Sequence, residues 1–117
     1  MILVVSPFFM KWFVAGYASA ITLYPFVVVR HARLKDDEVL INHEKIHLKQ
    51  QAELLVLGFY ILYLGEYVWR YAQYRSQYKA YRNISFEREA YDNESDFNYL
   101  KNRPLWAVFN KRYFKKK

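Results

Sequence analysis

The sequence predicts an α+β domain, mainly helical, with a β-hairpin or small sheet at its N-terminus, and three features point there. Residues 20–29 read AITLYPFVVV, a β-branched and aromatic block of the kind that suits a pleated, half-buried strand. From Asp37 to about Tyr74, apolar residues recur at helical spacing. A second helical segment runs from Phe86 to about Leu100, with Pro104 shortly after it. A chain of 117 residues that is 54% apolar and 21% aromatic can build one core, so residues 1–117 are read as a single domain.

Taken in order, residues 1–10 carry neither a basic leader nor a small-residue cleavage signal, which argues against a secretory peptide and for the cytoplasm. Residues 12–29 are apolar, but Gly16, Tyr17, Ser19, Thr22, Tyr24 and Pro25 make them a poor spanning helix. Pro25 also pushes the strand of residues 20–29 to a sheet edge or a bulge. Residues 31–35 are polar and form a turn or a short return strand. Asp36, Asp37 and Glu38 then mark a helix start near Asp37, because carboxylates accept from free amides and meet the positive end of the dipole. Val39, Ile46, Leu48, Leu54 and Leu55 are its apolar positions, and Lys45, Lys49 and Gln50 face water.

One unbroken helix to Tyr74 would be about 54 Å long, too long for this domain, so a break is expected near Gly58 or Gly65. Between Glu53 and Glu66 every residue of 54–65 is apolar or Tyr. That run falls short of the roughly eighteen residues needed to span a bilayer and reads as a buried helix. Contact with a membrane surface stays open. Residues 71–83, YAQYRSQYKAYRN, read as an exposed helix end entering a connection. Ser85 caps the next helix, which turns Ala90 and Phe97 inward, and Trp106 and Phe109 pack back onto the body.

The net charge is +7, with a basic tail Lys115, Lys116 and Lys117. No nucleic-acid-binding motif accompanies it, so the tail reads as a solvated terminus and no nucleic acid partner is expected. There is no Cys, which excludes disulfides, thiolate metal sites and a cysteine nucleophile. Any metal must use His and carboxylates.

Residues 43–47 read H-E-K-I-H, and two of the chain's three histidines fall in them. On a helix, His43 and His47 are separated by about 6 Å of rise and about 40° of rotation, so both imidazoles can converge on one ion. Glu44, offset by about 100°, reaches the side where the ion's water would sit and can act as general base. Zinc is the expected cofactor, since it supplies hydroxide at neutral pH without a covalent intermediate. The candidate source of a third ligand is residues 86–94, FEREAYDNE, where Glu87 is the first choice because Ala90, one turn on, allows close helix approach. Glu89 is the alternative, while Asp92 and Glu94 read as solvated. His31 is a further alternative ligand or an electrophile facing substrate, and Tyr91, near Glu87, is the candidate oxyanion donor.

HEKIH together with the downstream E-R-E-A resembles the gluzincins, the zincin metallopeptidases whose third ligand is a glutamate on a later helix. INHEKIHLKQQ followed by AYRNISFEREAYDNE is similar to small bacterial proteins of about this length, over residues 20–100. The resemblance implies a minimal zincin-like domain with zinc on His43, His47 and Glu87, Glu44 as general base, and a peptide or protein substrate. Where the family carries Asp four residues after the ligand, this chain has Tyr91, so the carboxylate that orients a histidine is either absent or supplied by Asp92 or Glu94. The alternative is a catalytically inactive scaffold of zincin shape, in which the metal staples two helices and the aromatic surface binds a protein or membrane. Four protein ligands would mark that case, and an open water position the peptidase.

Overall fold

The computed structural model describes residues 1–14, 16 and 18–114; Tyr17 and the basic tail Lys115–Lys117 lie outside the described residues. Three short strands, β1 (Ile2–Val5), β2 (Ala20–Leu23) and β3 (Phe26–Val29), form one sheet in the order β1-β3-β2. β3 runs parallel to β1 and antiparallel to β2. The expected α+β class is observed. The block of residues 20–29 is a hairpin, with Pro25 in its turn after a cis peptide bond, instead of one strand with a bulge. Residues 31–35 do not return as a strand; Ala32–Asp36 is a 3-10 turn. β1 follows no sequence expectation, and the chain passes from it to β3 by way of α1 (Pro7–Phe13), whose N-cap Ser6 accepts from the Phe9 amide, and then β2.

Helix α2 (Glu38–Glu53) starts where expected, with Asp37 accepting from the Leu40 amide. It is the centre of the molecule. The sheet cluster of Ala20, Val27 and Val29 packs against Leu40, Ile41 and Leu48 on it. A second core of Phe59, Ile84, Phe86 and Val108 gathers Leu54 and the tyrosines of the following helix. Between the two, α2 buries Asn42, His43, Glu44, His47, Gln50 and Gln51 along with Ile46. Gln50, expected in water, is fully buried.

The break comes at residues 54–56, before either expected glycine, and bends the chain by 112° between α2 and α3 (Leu57–Tyr74). Leu55 and Val56 both take positive φ, 57° and 61°, and the Leu57 amide closes onto the Leu55 carbonyl at 2.6 Å. Such a backbone is strained for a branched residue. The run of residues 54–65 is not a buried helix: Leu55, Leu57, Ile61, Leu62 and Leu64 are all exposed. Among the described residues, no single helix is long and apolar enough to cross a membrane.

After α4 (Gln77–Arg82) comes α5 (Ser85–Asn93), shorter than expected. Ser85 is its first residue and not its cap. Glu66 of α3 takes that role, accepting from the Ser85 amide at 2.7 Å and from the Ser85 hydroxyl at 2.5 Å. The carboxylate satisfies an orphan amide and meets the helix dipole. The chain leaves the helix at Asn93 because the Asn42 side chain donates to the carbonyls of Glu94 (2.8 Å) and Asp96 (3.1 Å), and the Asp96 carboxylate accepts from the Asn98 amide. Phe97 is therefore exposed. α6 (Tyr99–Asn102) and α7 (Lys111–Phe114) complete the chain. Trp106 and Phe109 stay nearly half exposed, and the full burial expected of them falls to Val108 and Tyr113. Buried Arg88 and Arg70 tie down the last turn by donating to the carbonyls of Tyr113 and Phe114.

Candidate metal centre and its pocket

α2 and α5 bring His43, His47 and Glu87 together, all three buried. His43 Nε2 lies 3.2 Å from His47 Nε2, and Glu87 Oε1 lies 3.2 Å from the first and 3.1 Å from the second. Three donor atoms thus form a nearly equilateral triangle.

The far nitrogens decide what that triangle is. His43 Nδ1 is 2.8 Å from Glu94 Oε2, a carboxylate oxygen that accepts, so the ring carries its hydrogen on Nδ1. His47 Nδ1 is 2.8 Å from Gln50 Oε1. The Gln50 amide is oriented by its own nitrogen, which donates to Glu89 Oε1 at 3.0 Å and to the Phe86 carbonyl at 3.1 Å. When neutral, imidazoles so held turn their Nε2 lone pairs toward each other and toward a carboxylate oxygen. Three acceptors at van der Waals separation in a buried site repel unless a cation lies among them.

Without a metal, protons supply the positive charge that the triangle calls for. Burial opposes charge on His43, but its hydrogen bonds to Glu87 and Glu94 outweigh that and hold it up at about 10. Burial likewise opposes charge on His47, and Glu87 again prevails and raises it. Burial alone would raise Glu87, yet the two histidines pull it well below the usual carboxylate range. The Tyr63 hydroxyl donates to Glu87 Oε2 at 2.7 Å, and burial together with that carboxylate keeps the phenol protonated. The cluster can hold a metal ion.

Glu44 borders the same pocket, a cavity of about 230 Å³ whose walls also include Thr22, Phe59, Tyr60, Tyr63 and Tyr81. Thr22 Oγ1 donates to Glu44 Oε2 at 2.5 Å, which fixes one carboxylate oxygen from the sheet side. The other sequence candidates lie elsewhere. His31 is exposed at the start of the 3-10 turn. Glu89 is not in the cluster; Arg103, Tyr99 and Gln50 occupy its carboxylate. Tyr91 is not a pocket residue: its ring packs edge-on against His43, centroids 4.4 Å apart, and its hydroxyl pairs with that of Tyr81. The pocket tyrosine in that chain is Tyr81. Glu94, read as solvated by position but named with Asp92 as a carboxylate that could orient a histidine, is the one on His43. Thr22 and Gln50 were missed; Gln50 could have been found from its position one turn after His47 on the same face.

No protein-family model matches the chain, no curated protein matches it, and no solved structure matches it.

Proposed function

We propose that the protein is a zinc-dependent metallopeptidase in which Glu44 activates water for attack on a peptide carbonyl. The observation that carries the reading is the triangle of donor atoms with its hydrogen-bonded backing, set beside a carboxylate in one pocket. Zinc bonds of about 2.0–2.1 Å to nitrogen and oxygen imply tetrahedral edges of about 3.3–3.4 Å. The edges here are 3.1–3.2 Å. Two imidazoles and one carboxylate also favour zinc over magnesium or calcium, which want oxygen donors. Among the described residues the cluster offers three donors, the number found in catalytic sites, whereas structural sites close with four.

Zinc bound there supplies a Lewis acid that lowers the pKa of water to about 7 and polarises a carbonyl. Glu44, with Oε2 tied to Thr22, has Oε1 left to take a proton from the attacking water and to deliver it to the departing amine. The Tyr81 hydroxyl, held protonated by burial and by the Glu87 charge, lines the same space and can steady charge on the carbonyl oxygen. A peptide as substrate is supported by the strand at the wall. β2 is an edge strand. The Arg30 amide bonds to the Ser19 carbonyl, so the alternation of an antiparallel pair turns the Ala20 and Thr22 backbone groups away from β3. Ala20 and Thr22 line the pocket; the Thr22 carbonyl is already taken by the Gln51 side-chain amide and the Tyr60 hydroxyl, so an extended chain would pair with the Ala20 groups.

Purified protein is expected to carry about one zinc and His47→Ala to lose it, while Glu44→Gln keeps zinc and loses cleavage of a peptide library by about a hundredfold or more. Zinc-loaded wild type that cleaves nothing, or undiminished cleavage by Glu44→Gln, would overturn the reading.

A further inference from the structure

Helix α3 is built inside out. Its buried residues are Phe59, Glu66 and Arg70, so its only two charged side chains face the protein, where Glu66 caps α5 and Arg70 holds the Phe114 carbonyl. The opposite half of the helix presents Leu57, Ile61, Leu64 and Val68, exposed by 70, 64, 62 and 68%. At 100° per residue these four fall within about 60° of one another, with Trp69 on one flank and Tyr71 on the other. No charged residue interrupts that half over eighteen residues, about 27 Å of helix. A helix face in water ordinarily carries charges, and contiguous apolar surface of this extent marks something that covers it. The strained bend before it adds to the patch, because Leu55 is 84% exposed with positive φ, where glycine would cost less.

The charge around the patch identifies the cover. From residue 54 to residue 86 the one carboxylate is the buried Glu66, and the exposed charged side chains are Arg75 and Lys79. From residue 97 to residue 114 the exposed charged residues are Lys101, Lys111 and Arg112, again all cationic, while Arg103 is held between Glu53 and Glu89. The acids are confined to residues 36–53, Glu66 and residues 87–96. An uncharged apolar strip with aromatic flanks, in a region whose exposed charges are basic, matches a helix seated at the boundary of hydrocarbon and anionic headgroups. Spanning is excluded for α3 by its other half, which buries an ion pair against the domain. We infer that the outer face of α3 docks on an anionic lipid bilayer, with the helix lying in the plane of the surface. α3 also supplies Phe59 and Tyr63 to the pocket from its other half, so the docked face and the pocket wall are two sides of one helix.

The test is flotation of the full chain with vesicles of phosphatidylcholine alone and of phosphatidylcholine mixed equally with phosphatidylglycerol. Wild type is expected to float with the anionic vesicles and to partition at least about tenfold more weakly to the neutral ones. The triple variant L57E/I61E/V68E changes only exposed positions. With its circular dichroism unchanged, it is expected to lose binding by more than about tenfold, and R75E/K79E to lose the preference for anionic lipid. Wild type that floats with neither vesicle, equal binding to both, or binding unchanged in a folded triple variant overturns the inference. So does a stable dimer in sedimentation that the triple variant dissociates, which would assign the face to a second copy of the chain.

Discussion

Replacing Gln50 by Leu tests whether the buried backing of His47 is what prepares the metal site. Gln50 is fully buried and makes three hydrogen bonds, one accepted from His47 and two donated to Glu89 and the Phe86 carbonyl. Leucine fills the space but restores none of them. Glu89 Oε1 retains Arg103 Nη2 at 3.1 Å, and the Phe86 carbonyl lies inside α5, where its own helix satisfies it. The group left alone is the His47 Nδ1–H. An orphaned buried donor costs about 1–3 kcal/mol, and at about 4–8 °C per kcal/mol for a domain near this size the metal-free variant should melt about 4–24 °C lower.

The imidazole can escape that cost by moving its hydrogen to Nε2, which removes the lone pair the metal needs. Zinc affinity is therefore expected to fall about 10- to 100-fold, the usual effect of losing a hydrogen bond behind a ligand, equivalent to about 1.4–2.8 kcal/mol. Gln50→Glu separates the two effects. It keeps an acceptor for His47, so affinity holds, but sets a carboxylate against Glu89, so stability falls. Competition with a chromogenic chelator reads the affinity, and thermal unfolding followed by circular dichroism reads the stability. A folded Gln50→Leu protein that binds zinc as tightly as wild type would refute the reasoning.

Glu94→Gln keeps an acceptor for His43 while discarding the charge, and Glu94 is partly exposed, so about a tenfold loss of zinc affinity is expected by the same competition assay; no loss would remove Glu94 from the site's support. Chelating the metal from protein held at about a hundred times its dissociation constant removes about 2.7 kcal/mol, and the melting temperature should drop by about 10–20 °C. A melting curve indifferent to chelator would mean no bound metal. Arg103 sits between Glu53, which it grips with both terminal nitrogens at 3.0 Å, and Glu89, which its Nε reaches at 2.6 Å. Arg103→Met leaves two largely buried carboxylates without their cation, at a cost of about 3–5 kcal/mol. Urea unfolding measures that loss, and a change under about 1 kcal/mol would show the pair to be solvated.

How far the sequence revealed this arrangement depended on whether one element or two carried the information. His43 and His47 were legible because the helical period alone puts them on one face, and Asp37 was legible because a cap acts on its own helix. Gln50 was misplaced for a related reason. Polar residues on a helix are ordinarily assigned to water, yet His43, Glu44, His47, Gln50 and Gln51 recur at the spacing that apolar residues use to face a core. Read as a stripe, they announce a buried polar face, and a polar face so buried must find partners on other elements. Thr22, which meets Glu44 across 22 residues, was not legible because no local period relates such a pair, and Glu94, which meets His43 across 51, was reached only through the family resemblance and not singled out from Asp92. The bend was placed at a glycine because glycine tolerates positive φ at least cost, whereas the chain pays for it at Leu55 and Val56 and keeps their side chains outside. That choice turns α3 so that Glu66 reaches the start of α5 and orients the segment carrying Glu87. Apolar exposure on one side of α3 and the carboxylate cap on the other are consequences of a single rotation, so a variant that buries the apolar face by turning the helix must also release Ser85 and, with it, the third donor of the cluster.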